Sequence, residues 1–145
     1  MKRILSALLC LVFCLGGMTF AFAAMPVEAE AAEPPTIMRM SYTNNTTTLI
    51  SIVNGQAICV GTLAGYQGIT TKVEITLTLQ RKLASSSTWT DYYNHPKQTF
   101  NDWRGTASCT RDIVKGYQYR TKAVYTAWSG TKYETFTEYS GAMAY

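Results

Sequence analysis

Lys72-Val73-Glu74-Ile75-Thr76-Leu77-Thr78-Leu79-Gln80 decides the fold. Val73, Ile75, Leu77 and Leu79 alternate with Lys72, Glu74, Thr76, Thr78 and Gln80. Successive side chains of an extended chain point to opposite faces, so the stretch reads as a strand with one apolar and one polar face. No segment that follows it or precedes it within the domain carries a helical stripe of apolar residues.

The same period runs outward in both directions. Residues 46–53 (TTTLISIV) read as a first strand, closed by the turn pair Asn54-Gly55. Residues 56–65 form a second strand. Residues 81–87 read as a polar loop rich in Ser, and residues 88–93 begin another strand. His95-Pro96-Lys97 marks a turn or an edge, and residues 104–112 form a fifth strand. Residues 117–128 form a long strand, with Tyr119, Thr121, Ala123 and Tyr125 on one face and Gln118, Arg120, Lys122 and Thr126 on the other. A three-residue turn at Ser129-Gly130-Thr131 returns the chain through residues 132–140. That turn length sets Trp128 against Lys132 and Lys122 against Glu138. About seven short strands without helices predict an all-β fold, a two-sheet antiparallel sandwich.

The first residues change the size of the domain. Residues 1–23 read MKRILSALLCLVFCLGGMTFAFA, with Lys2 and Arg3 ahead of a long apolar run and the small-x-small pattern Ala21-Phe22-Ala23 behind it. This predicts an N-terminal signal-peptide helix, cleaved after Ala23, with Ala29 and Ala31 as alternative sites. An uncleaved anchor is the other reading, since about 20 apolar residues can span a bilayer. Cys10 and Cys14 lie inside the run and lack a lipoprotein cleavage context. Residues 24–36 (AMPVEAEAAEPPT) read as an acidic Pro/Ala linker. The β-sandwich domain is therefore residues 37–145.

Removing the first 36 of 145 residues leaves about 109, which supports one modest core. Lys2 and Arg3 go with the leader, and Glu28, Glu30 and Glu33 with the linker. The domain then holds 11 of 13 basic and 6 of 9 acidic residues, a net charge of +5. It also holds all 10 Tyr, all 3 Trp and 19 Thr, residue types that suit a pleated, half-buried surface.

Ile113-Val114-Lys115-Gly116-Tyr117-Gln118-Tyr119 resembles the start of strand F in fibronectin type III and immunoglobulin-like domains. There an apolar residue and a turn lead to a Tyr whose hydroxyl folds back onto the backbone, and Tyr119 takes the matching place. The resemblance implies two opening strands, a clean third, a hairpin and a closing F–G pair. The chain departs from fibronectin type III in lacking a Trp within AICVGTL. It departs from immunoglobulins in placing Cys109 on strand E rather than F. The whole is also similar to small secreted proteins of Gram-positive bacteria, a likeness that implies a location and no activity.

Cys59 and Cys109 are the two cysteines left in the exported domain. An even number in an oxidising compartment favours a disulfide, and two buried thiols are the alternative. Strands B and E are neighbours in the families named, so the bridge would join adjacent strands.

Catalytic chemistry finds little support. His95 is the single histidine, and no Gly-x-Ser-x-Gly, calcium-loop or phosphate-loop pattern occurs. Metal ligation by N and S donors needs several His or Cys at short spacing. No catalytic residue, metal or cofactor is therefore expected. Trp89, Tyr92, Tyr93 and Trp103 form the strongest candidate binding set, either as exposed rings that stack on sugars or anchor a protein, or as core. Arg81, Lys82, Arg111, Lys115, Arg120 and Lys122 form a second set, suited to an anionic wall polymer, or else a solvated surface. Asn44 and Asn45 match glycosylation acceptors.

These readings predict a secreted, non-enzymatic binding or structural module. Its partner would be an extracellular glycan or protein, with no nucleic acid and no membrane contact after signal cleavage. The alternative is a secreted effector, bacteriocin-like, acting on membranes or competitors. No lipid-facing apolar band runs along any strand or helix.

Overall fold

The computed structural model describes residues 40–145, and the leader and linker readings lie outside them. Nine strands follow one another: β1 Thr43–Val53, β2 Gln56–Gly65, β3 Lys72–Leu83, β4 Thr90–Asn94, β5 Gln98–Phe100, β6 Arg104–Asp112, β7 Tyr117–Ser129, β8 Lys132–Tyr139 and β9 Met143–Ala144. Seven match the predicted strands, and the short β5 and β9 are additional.

Two antiparallel sheets form. One has the order β1-β2-β6, and the other β4-β3-β7-β8, with β5 also pairing β3 and β9 pairing β7. The alternation of β3 is realised: Val73, Ile75, Leu77 and Leu79 are fully buried between the sheets. Tyr119, Thr121, Ala123, Tyr125 and Ala127 of β7 face the same interior, as do Ala57, Cys59 and Leu63 of β2 and Ala107 and Cys109 of β6. The core is self-contained within the compact unit Ile37–Tyr145.

Gly61 lets the sheets approach. A Cβ there would lie 2.8 Å from Leu77 Cδ2 and 3.0 Å from the Tyr125 hydroxyl. The β1–β2 turn has positive φ at both Asn54 (49°) and Gly55 (78°), the type I′ geometry that matches strand twist.

Three local expectations are corrected. The β7–β8 turn has two central residues, Gly130 and Thr131, with Ser129 opposite Lys132. Gly130 has φ 61°, which suits the first central position of a type II′ turn. The register therefore shifts by one: Lys122 faces Tyr139 and Trp128 faces Tyr133, not Glu138 and Lys132. Second, β3 does not end at Gln80 but runs on to Leu83, because Arg81, Lys82 and Leu83 pair with Tyr119, Gln118 and Tyr117. Third, the polar face of β3 is covered where Thr78 and Gln80 lie, since both are buried.

The two open sides of the sandwich are closed by opposite chemistry. On the β1–β8 side, Glu134 accepts the backbone N–H groups of Ser41 (2.8 Å) and Tyr42 (3.0 Å), and Glu138 accepts the hydroxyls of Thr46 and Thr48. On the β4–β6 side, arginines lie over tyrosine rings.

Candidate binding surface

Each of the four described arginines stands over at least one aromatic ring, and Arg81 and Arg120 each stand over two. Arg81, at the inward end of β3, lies between Tyr92 (4.3 Å to the ring centroid) and Tyr117 (4.5 Å). Arg111 of β6 reaches across the open side to Tyr93 at 4.3 Å. Arg120 lies over both Trp89 (4.3 Å) and Tyr139 (4.2 Å) on the outer face of the larger sheet. Arg104 lies over Trp103 at 5.1 Å. Lys82 also stands over Trp89 at 5.4 Å, and Lys115 over Tyr145 at 5.9 Å. A guanidinium stacked on a ring keeps its in-plane N–H fork available for an acceptor.

The acids are occupied elsewhere. Among the described residues both ion pairs involve Glu74, with Lys72 at 3.2 Å and Lys97 at 3.3 Å. Burial pushes the Glu74 carboxyl up, but hydrogen bonds from these two lysines outweigh it and hold the group below its ordinary value. Asp91 accepts from Gln80 Nε2 at 2.7 Å, and Asp112 from Gln56 Nε2 at 2.8 Å. The arginines are thus held by rings rather than by carboxylates.

Arg120 alone of the described arginines also makes a side-chain hydrogen bond. Its Nε donates to Gln80 Oε1 at 2.8 Å, and Gln80 is in turn anchored on Asp91. Gln80 is only 7% exposed, so this chain of contacts is sheltered by the residues stacked over it. Tyr139 is 50% exposed. The result is a platform of Trp89, Arg120 and Tyr139 flanked by Lys82 and Lys122. It offers ring surface and positive charge free of ion pairs among the described residues to a ligand lying on the sheet.

The predicted aromatic set is divided by the fold. Trp89 belongs to the outer-face platform. Tyr92 and Tyr93 are partly buried against the core on the β4–β6 side. Tyr92 packs edge-on to Tyr119, with centroids 6.1 Å apart, and its hydroxyl donates to Asp112 O at 3.3 Å. Trp103 follows β5, beside Gly65 at the opposite end of the sandwich, with its carbonyl accepting Gly65 N–H at 2.7 Å. The length of β3 separates it from Trp89 by about 30 Å. Nearness in sequence does not group these rings, because β4 and β5 run along β3 and carry the chain from one end of the sheet to the other.

Tyr139 and Arg120 were absent from the ring set because they lie beyond residues 89–103. The register Lys122↔Tyr139 and Gln80↔Arg120 brings them to Trp89. Alternation alone could have placed Arg120 on the outer face, though not beneath these rings.

Tyr119 lies on the buried face of β7. Its hydroxyl donates to Val114 O at 2.8 Å and accepts Val114 N–H at 3.1 Å, and the side chain is fully buried. Cys59 and Cys109 are directly opposed on β2 and β6, buried and unbridged in this structure. The hydrogen bond to Cys59, together with burial, raises the Cys109 thiol above its ordinary value. His95 has Gln98 Nε2 at 2.8 Å from its Nε2. Among the described residues no three His, Cys, Asp or Glu converge as metal donors.

No family model and no curated protein matches the chain. Solved structures match at the level of a β-rich fold. The solution structure of CsgH from R. palustris is similar with 11% identity and a TM-score of 0.37, over 66% of this chain and 87% of that one. Spo0M, a sporulation control protein from Bacillus subtilis, is similar with 6% identity and a TM-score of 0.38, over 70% of this chain and 49% of that one. A protein from Archaeoglobus fulgidus is similar with 10% identity and a TM-score of 0.37, over 71% and 97%.

Proposed function

We propose that residues 37–145 form a secreted, non-enzymatic binding module of the fibronectin type III-like or immunoglobulin-like kind. Its partner is an extracellular glycan or protein, held on the outer face around Trp89. The split into a β1-β2-β6 sheet and a β4-β3-β7-β8 sheet, and the folded-back Tyr119 hydroxyl, support the domain type. The leader pattern supports export. In the oxidising compartment that follows, Cys59 and Cys109 close one bridge.

The observation that carries the ligand reading is Arg120, fixed over Trp89 and Tyr139 and by Gln80 without an ion pair among the described residues. Ring faces stack on the apolar face of a sugar, and a free guanidinium fork selects an acidic substituent on it. An acidic glycan satisfies both.

A glycan array with the purified Ile37–Tyr145 unit tests this. Binding to acidic glycans, lost in Trp89→Ala and Arg120→Gln with an unchanged melting temperature, supports the platform. Binding retained in both variants, or no glycan binding at all, removes it.

A further inference from the structure

The first three residues of β7 gather exposed apolar side chains at one end of the sandwich. Leu83 pairs opposite Tyr117, and Met143 opposite Tyr119. Val114 is tied to the Tyr119 hydroxyl through its own N–H and C=O. All three are exposed, Leu83 by 49%, Val114 by 48% and Met143 by 38%.

Cations surround these tips. Arg81 pairs opposite Tyr119 and Lys82 opposite Gln118, while Lys115 adjoins Val114 in the β6–β7 turn. None of the three makes an ion pair among the described residues. Asp112, the acid that ends β6 before this turn, accepts a hydrogen bond from Gln56. The opposite end also exposes apolar residues, Tyr66 and Ile69. There, however, Lys72 and Lys97 are both ion-paired to Glu74, and Asp102 lies in the adjoining loop. Charge therefore distinguishes the two ends.

We propose that this end, with Leu83, Val114 and Met143 ringed by Arg81, Lys82 and Lys115, docks on the surface of an anionic phospholipid bilayer. Isolated exposed apolar residues are ordinary, but apolar tips set among unpaired cations match a lipid interface in both of its properties. The negative surface attracts the cations, and the tips enter the headgroup boundary. The Tyr92 and Tyr117 rings hold the Arg81 guanidinium in place for a lipid phosphate. This contact is peripheral and needs no membrane-spanning segment. It departs from the expectation of no membrane contact, which rested on the faces of strands. The end surface is made from strand termini and a turn.

The test is co-sedimentation of the Ile37–Tyr145 unit with vesicles of phosphatidylcholine alone and of phosphatidylcholine mixed with phosphatidylglycerol. Binding is expected for the mixed vesicles only, falling as salt is raised. Lys115→Glu is expected to weaken it at least about fivefold, the scale of one cation at an anionic surface. Leu83→Ser combined with Val114→Ser is expected to weaken it further at unchanged charge, and a melting curve checks that each variant is folded. Equal binding to both vesicle types, no binding to either, or no effect of either substitution in folded protein overturns the proposal. So does a unit that binds soluble polyphosphate but no vesicle. None of these outcomes depends on Trp89, so they stand apart from the glycan result.

Discussion

Cys59 and Cys109 face each other across β2 and β6 as a hydrogen-bonded pair of the antiparallel ladder. Gly65 N–H bonds Trp103 O and Ile113 N–H bonds Gly55 O, and such pairs recur at every second residue. The phase of the ladder therefore falls on Cys59 and Cys109. Side chains of this class of pair stand farther apart, toward about 5.5 Å between Cβ atoms, whereas a disulfide needs about 3.5–4.5 Å.

A bridge formed here has to draw the strands together. It is expected to be reduced more readily than an unstrained structural disulfide, although closing its loop would contribute about 4 kcal/mol in the chain-entropy model. Alkylation and mass measurement across a glutathione redox series checks this. Two alkylated thiols under every oxidising condition would remove the bridge.

Tyr119→Phe deletes the hydroxyl that serves both Val114 N–H and C=O. The expected cost is about 1–3 kcal/mol, because the backbone groups lose a buried partner. Urea denaturation measures it, and an unchanged midpoint would show that the corner does not stabilise the fold.

Tyr92→Ala and Trp89→Ala are expected to separate. Tyr92 packs on Tyr119 and Arg81, so its truncation costs about 2 kcal/mol or more. Trp89 covers the outer face and costs less. Equal loss of stability in the two variants, read by thermal melting, would contradict this division.

Gly105→Ala places a methyl group against the Phe100 ring, which has no room to receive it. Overpacking of this kind costs about 1–3 kcal/mol. The measurement is chemical denaturation, and wild-type stability would mean that β5 moves aside freely.

Tyr125 links stability to alkaline pH. Burial, with the Glu138 carboxylate nearby, raises its phenol above the ordinary value, and its hydroxyl bonds Thr47 O at 2.9 Å. A raised folded-state value means that the folded protein holds the proton more tightly than the unfolded chain. The contribution is full below about pH 10 and is lost as pH rises through the folded-state value. Denaturation midpoints across alkaline pH should fall more steeply for the wild type than for Tyr125→Phe.

The strands were legible because side-chain alternation is a local property. Val73, Ile75, Leu77 and Leu79 had to share a face in any extended chain, and a buried face was the one outcome open to them. The same reasoning placed Tyr119, Thr121, Ala123 and Tyr125 together on the inner side of β7, and Asn54-Gly55 in the first turn. The β7–β8 register was not legible to the residue. Ser-Gly-Thr serves a two- or a three-residue turn, and one step moves Lys122 from Glu138 to Tyr139.

What the sequence by itself determined is the all-β sandwich, the succession of its strands along the chain and the inward faces of β3 and β7. Only the tertiary structure decided which rings meet which cations. Trp89, Tyr92, Tyr93 and Trp103 are close in the chain yet go to separate places, while Trp89, Arg120 and Tyr139 come together from three strands or their flanks. The physical reason is that a ring and a guanidinium meet through pairing between distant strands. Alternation sets the face on which a side chain lies, and cross-strand register sets its neighbours.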